Sequence, residues 1–211
     1  GGDIRKLSVQ SCFPTFFSKK RGGGLFTLQN GMESLIHELA KQSQIEIFLD
    51  SPVEFLRSDG VVVKEKFYDA DLIVSALSGS VIRQLSGLWG DFQEMELGMV
   101  QMAFDGDVLP KMGFGYLVPS KEGEKLLGMV FDSSIFPAQG KSTRITAMMR
   151  EPCYDEAMSC LQRHLGIHVK PLYMELSRAS IPQFLVGYGK RLSHFQIEMK
   201  KKFPSLILVG N

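Results

Sequence analysis

Glycine-rich stretches, three cysteines, four histidines and a few serine and aspartate clusters are the places where this chain could do chemistry. Gly140-Lys141-Ser142-Thr143 ends like a phosphate-binding loop. The glycine that should open such a loop is Ile135, and a strand pattern rather than a helix follows, so that loop is excluded. Gly187-Tyr188-Gly189-Lys190 lacks both the loop length and the Ser or Thr that would hold Mg²⁺. No G-x-G-x-x-G stands between a strand and a helix, so the usual dinucleotide fingerprint is absent. Cys153, Cys160, His164 and His168 invite a metal reading, because Cys160 and His164 lie four apart and would share a helix face. Their spacing matches no closed four-ligand pattern, and nothing supplies an outer carboxylate in an obvious place. Buried thiols and surface imidazoles, with no metal, are the expectation. The serines include no G-x-S-x-G nucleophile elbow. Asp69 and Asp71 flank Ala70 on one side of a strand pattern, where solvation at a loop end is the expected role. Lys200-Lys201-Lys202 closes a helix pattern, where cations suit the dipole. No catalytic acid, base or nucleophile follows from spacing alone.

The elements that would position such residues belong to an ordinary folded chain. Its 211 residues suffice for one domain or two small ones with a real core. Lys and Arg number 24 against 23 Asp and Glu, which leaves no global field to recruit nucleic acid. No apolar run reaches the roughly 20 residues that span a bilayer. The amino terminus, Gly1-Gly2-Asp3-Ile4-Arg5, carries neither an apolar signal core nor an initiating Met. The expectation is a piece of a longer protein in a reducing, cytoplasmic compartment, since three cysteines make no disulfide scaffold. Eleven methionines and 15 phenylalanines would suit an adaptable apolar pocket, although they fill ordinary cores more often.

Along the chain, Ser18 to Gly24 reads as a solvated linker and Leu25 to Leu28 as a short strand. Gly31 opens an amphipathic helix that should bury Leu35, Ile36, Leu39 and Ala40. Strands are expected at Ile45–Leu49, Pro52–Leu56 and, after the Ser58-Asp59-Gly60 turn, Val61–Phe67. Ala70 to Ala76 has the continuous apolar character of a parallel strand covered on both faces, and Ser80 to Leu85 that of a short helix. Four runs, Gly98–Phe104, Phe114–Val118, Leu126–Phe131 and Arg144–Met149, suggest an antiparallel sheet. Pro152 should begin a helix that runs to about Leu165. A strand at Val169–Leu176, a helix at Leu192–Phe203 and a strand at Leu206–Val209 complete the pattern.

Several stretches together resemble the protoporphyrinogen oxidases, FAD-dependent members of the amine-oxidase-like flavoprotein group. They are Gly2 to Pro14, Gly113-Phe-Gly-Tyr-Leu-Val-Pro119, Leu127-Gly-Met-Val-Phe-Asp-Ser133 with Phe136-Pro137, Ile181-Pro-Gln-Phe-Leu-Val-Gly187 and Leu206-Ile-Leu-Val-Gly210. They cover nearly the whole chain in order. The resemblance implies an α/β (α+β) fold with a partial FAD-binding three-layer part at 25–85 and 190–211. A mixed or antiparallel-sheet substrate-binding part would take 90–185, and residues 1–17 would belong to its start. The family's phosphate-binding fingerprint would precede residue 1, its last flavin-contacting loop would follow Asn211, and a longer helical section would stand between Phe17 and Leu25. A fragment of this kind is not expected to be active alone.

The resemblance also implies roles. Val53 matches a position whose backbone meets the FAD adenine, and Ala76 one where a small residue lets the pyrophosphate approach. Gly2, Gly115, Leu117 and Met148 match positions lining a tetrapyrrole pocket; for Phe136 core packing is the expected role. The implied reaction is hydride abstraction from protoporphyrinogen IX by the flavin, which oxygen reoxidises, in haem biosynthesis. A coproporphyrinogen-oxidising variant, another amine-oxidase-like flavoprotein and a non-catalytic binding domain are the alternatives. Peripheral membrane association and a homodimer are left open.

Overall fold

The computed structural model describes Lys6, Thr27, Leu28 and residues 30–210. These residues form two compact units: 46–95 with 182–210, and 30–45 with 96–181.

In the first unit, β1 (Phe55–Arg57), β2 (Gly60–Val63) and β3 (Lys66–Asp69) make an antiparallel meander. The expected single strand Val61–Phe67 is in fact broken by a second turn at Lys64 and Glu65. Both turn residues have positive φ, 48° and 62°, the geometry of a tight hairpin usually built from Asn-Gly. The Glu54 carboxylate holds that turn by accepting hydrogen bonds from the Lys64 and Glu65 amides at 3.2 and 3.4 Å. Replacing Lys64-Glu65 by Asn-Gly should therefore raise stability by about 1 kcal/mol, read as a higher urea midpoint at unchanged slope.

β4 (Ile73–Ser75) and β10 (Leu206–Leu208) pair in parallel. The parallel character is as expected, but cover on both faces is not: Val74 is 58% exposed among the described residues. Helix α2 (Gly79–Ser86) follows β4, and its apolar side joins Phe195, Met199 and Phe203 of the long carboxyl-terminal helix region around Ile82 and Leu206. Phe92 meets Phe195 edge-on with ring centroids 4.9 Å apart.

In the second unit, α1 (Glu33–Gln42) forms where expected, yet buries none of its residues; Ile36 is 64% exposed and Leu39 58%. The periodicity was legible, but no described surface covers its stripe. Residues 45–49, which run from this unit into the first, likewise form no strand; Gln44 and Asp50 beside them take positive φ. A five-stranded sheet runs in the order β6 (Gly115–Leu117), β7 (Leu126–Val130), β8 (Thr143–Met149), β5 (Gln93–Phe104), β9 (Tyr173–Gln183). Its β6–β7, β7–β8 and β8–β5 pairs are antiparallel, as the four apolar runs suggest. The last strand begins at Tyr173 rather than Val169. The turn α3 (Asp132–Ile135) follows β7.

Helix α4 (Tyr154–Leu165) covers one face of this sheet. Pro152 lies just before the helix instead of in its first turn, and packs so closely on Gly98 that a Cβ there would stand 2.4 Å from the proline ring. Alternation along β5 and β8 puts Val100, Met102, Phe104, Ile145, Ala147 and Met149 into the core beneath α4. Helix α5 (Tyr188–Lys202) belongs to the first unit and ends in the three lysines. No described helix is long and apolar enough to cross a membrane.

Candidate functional site

The first unit carries a cleft at the carboxyl ends of its two parallel strands. Ser75 pairs with Leu208, and the Val209 amide donates to the Ser75 carbonyl at 2.9 Å. Three residues beyond β4, Ser78 caps α2 by accepting from the Val81 amide at 3.5 Å. Parallel strand ends beside a helix amino terminus are where open α/β folds hold anionic ligands. Leu77, Gly79, Phe92, Tyr188 and Gly210 line the cleft with Ser75. Ser75 is 8% exposed, and its Oγ has no hydrogen-bond partner among the described residues. A buried hydroxyl without a partner is costly unless something polar completes it. The helix amino terminus, that hydroxyl and the small residues around them fit the phosphate portion of a nucleotide cofactor.

Ala76 stands exposed directly after β4, at this mouth. Val53 stands elsewhere in the first unit, half-buried just before β1. Its neighbour Glu54 starts the sheet pairing by donating to the Val62 carbonyl at 2.8 Å. The two residues are thus on separate elements, each next to a strand end.

The second unit brings three predicted residues together. Leu117 pairs with Gly128, and Gly128 with Met148, so the three form one row across β6, β7 and β8; Met99 of β5 extends it. Gly115 pairs with Val130 in the next row, which continues through Thr146 to Gln101. All of them lie on the sheet face opposite α4. Leu117 is 76% exposed there. Gly128, which spacing did not single out, keeps the face flat: a Cβ would stand 2.5 Å from the Tyr116 carbonyl and 2.9 Å from the Leu117 side chain. Gly2 lies outside the described residues.

Polar groups border the apolar row at one end. Thr146 donates its hydroxyl to the Asp132 carboxylate at 2.8 Å, and both line a pocket with Gln101, Arg144 and Tyr173. Burial pushes the Asp132 carboxyl up, more than the Thr146 hydrogen bond lowers it. The Arg144 guanidinium is held by the Phe136 and Gln139 carbonyls, at 3.1 and 3.2 Å. Phe136 is half-buried, with its carbonyl in that clamp and its ring outside the buried core cluster. Asp132 and Thr146 were missed in the sequence because their partnership depends on β7 and β8 pairing.

The opposite face holds a second polar group around α4. Tyr116 Oη lies 2.8 Å from His164 Nδ1, and His164 Nε2 is 3.5 Å from Glu124 Oε1. Arg163 donates to Glu124 Oε2 at 2.7 Å and to Cys160 Sγ at 3.4 Å. Spacing expected surface imidazoles and buried thiols; the structure instead makes His164 half-buried and Cys153 exposed, while Cys160 is buried and His168 exposed. The long-range contact to Glu124 was invisible in linear spacing.

The sequence profile of the family described as flavin containing amine oxidoreductase matches residues 1–163. A protoporphyrinogen oxidase of Bos taurus is 27% identical over 277 aligned positions, covering 99% of this chain and 58% of the relative. The protoporphyrinogen oxidase of Homo sapiens is 24% identical over 258 positions, covering 90% of this chain and 54% of the relative. The chain therefore spans little more than half the length of these curated relatives. The bovine alignment is longer than the 211 residues of this chain, so the relative carries segments with no counterpart here. Among solved structures, one from Exiguobacterium sp. 255-15, provisionally assigned as a protoporphyrinogen oxidase, superposes with a TM-score of 0.84 at 20% identity, over 99% of this chain and 55% of that one. Reduced UDP-galactopyranose mutase superposes with a TM-score of 0.64 at 10% identity, over 85% of this chain and 46% of that one. These two likenesses establish the fold, a mixed α/β architecture.

Proposed function

The chain belongs to the flavin containing amine oxidoreductase family, and from that premise we propose that it is part of an FAD-dependent enzyme oxidising protoporphyrinogen IX. The observation that carries the reading is the flat apolar row Leu117–Gly128–Met148 on the sheet face opposite α4, with Gly115 beside it. A tetrapyrrole is a broad apolar disc, and glycine lets such a disc approach the backbone. The relatives named protoporphyrinogen oxidase support the substrate class.

Among the described residues of β5 to β8, Arg144 is the one cation on this face, and two backbone carbonyls already occupy it. FAD, when bound, would supply the hydride acceptor and a route for electrons to oxygen. The chain's own contribution is binding: Leu117 and Met148 would exclude water from one side of the ring, and Ser75 with the start of α2 would hold the cofactor's phosphates.

Two titrations test the reading. Protoporphyrin IX should bind the chain saturably, seen as a change in its absorption and emission, and binding should be lost in Leu117→Arg. A chain that folds and leaves the porphyrin spectrum unchanged contradicts the substrate assignment. Ser75→Ala should change two quantities in opposite directions. The chain without flavin gains about 1 kcal/mol, because an unsatisfied buried hydroxyl is removed. FAD affinity falls about tenfold, the loss of one hydrogen bond at about 1.4 kcal/mol per decade. Unchanged FAD affinity would remove Ser75 from the cofactor site.

A further inference from the structure

We propose that Glu124, Cys160 and His164 form a binding site for a divalent cation of the zinc class, on the side of the five-stranded sheet opposite the tetrapyrrole face. Helix α4 presents Glu156, Cys160 and His164 at successive turns of one side, and the chain before β7 brings Glu124 against them. One donor atom from each of Glu124, Cys160 and His164 falls within 4.8 Å of the other two. His164 Nε2 stands 3.5 Å from Glu124 Oε1, and Cys160 Sγ 3.9 Å from Glu124 Oε2. Zinc bonds of about 2.0–2.3 Å place tetrahedral donors roughly 3.3–3.8 Å apart, so closing the set on an ion takes side-chain movements of about 1 Å.

The donors are a thiolate, an imidazole and a carboxylate, a mixture that selects zinc-class ions over magnesium or calcium. The surroundings suit such a site. With metal on Nε2, the His164 Nδ1–H donates to Tyr116 Oη, 2.8 Å away, which fixes the ring as outer partners of metal-bound histidines do. Arg163 keeps Glu124 Oε2 engaged at 2.7 Å, leaving Oε1 to the ion, and offers an N–H to the sulfur at 3.4 Å. Glu156 Oε1, 3.7 Å from the same sulfur, places a fourth donor in reach. Glu124, Glu156 and His164 side chains are each 22–25% exposed, which gives an ion a way in.

A cysteine ligates a metal as its thiolate, so a thiol must give up its proton to bind. Binding must therefore expel one proton: the S–H bond breaks, the sulfur pair goes to the metal, and the proton leaves to solvent. Affinity should rise with pH accordingly.

The test is titration of the purified chain with Co²⁺ and then Zn²⁺. One Co²⁺ should bind per chain with a thiolate-to-metal absorption band, one Zn²⁺ should displace it, and the melting temperature should rise. Cys160→Ser should abolish the band. Because Cys160 is fully buried and its variant could misfold, His164→Gln at the half-exposed edge serves as the second variant, with at least tenfold weaker binding expected. His168→Gln, on an exposed residue outside the cluster, should bind as the parent does. Absence of the band in the folded parent overturns the site, as does unchanged binding in both Cys160→Ser and His164→Gln. Neither result bears on the flavin or tetrapyrrole reading.

Discussion

Gly115→Ala should destabilise the chain by about 3 kcal/mol, from two costs that add at one position. The residue has φ of +135°, a conformation that side chains rarely adopt. A Cβ there would also stand 2.1 Å from the Met129 carbonyl, within the β6–β7 pair, where only backbone could move. Chemical denaturation reads the effect directly, and a loss under 1 kcal/mol would mean that the two strands have more room than the structure gives them. The glycine is thus required by the sheet itself, whether or not a ligand lies over it. Its match to a substrate-lining position and its structural necessity are separate facts, and this variant measures the second.

Phe104→Ala and Leu117→Ala should separate the two faces of the same sheet. Phe104 is fully buried beneath α4 with Val100, Ile145 and Leu161. Its truncation leaves a cavity and should cost about 3–5 kcal/mol. Leu117, largely exposed on the other face, should lose within about 0.5 kcal/mol, as exposed positions do, while porphyrin binding weakens at least tenfold. Denaturant midpoints and porphyrin titrations on both variants decide it. A Leu117→Ala chain that is strongly destabilised, or one that binds porphyrin as well as the parent, contradicts the assignment of a binding face opposite α4.

Much of this organisation was legible before any coordinates, and the failures have physical causes. Of the four runs from Gly98 to Met149, Gly98–Phe104 and Arg144–Met149 alternate buried and half-buried residues, which gives their faces. Burial on both sides, by contrast, cannot be read from a run such as Ala70 to Ala76, because it depends on what else packs there. The stripe of α1 failed for the same reason: helical periodicity shows which side is apolar and not whether anything covers it. The Lys64-Glu65 turn lacks the Asn-Gly signal, since Glu54, ten residues away in sequence, supplies the hydrogen bonds that hold it.

The candidate sites divide in the same way. Gly115, Leu117 and Met148 came from family resemblance, and strand register then placed them side by side. Gly128, Asp132 and Thr146 carry no motif; their importance appears only once β7 lies between β6 and β8. Ser75 is one serine among many in the sequence; what marks it is its place at the end of β4 beside the start of α2, with its hydroxyl unpartnered among the described residues. Glu124 stands 36 residues from Cys160, too far for any ligand-spacing rule to join them.

The measurement that most directly tests the central claim is methyl NMR of the methionine-labelled chain during titration with protoporphyrin IX. Met99 and Met148 face each other across β5 and β8 on the side away from α4, while Met102 and Met149 of the same strands point into the core. The ring current of a porphyrin acts over a short distance and so reports the face. Large shifts at Met99 and Met148, with Met102 and Met149 nearly still, are the predicted result. Shifts confined to other methionines, or none at saturating porphyrin, would contradict the assignment of this face to the tetrapyrrole.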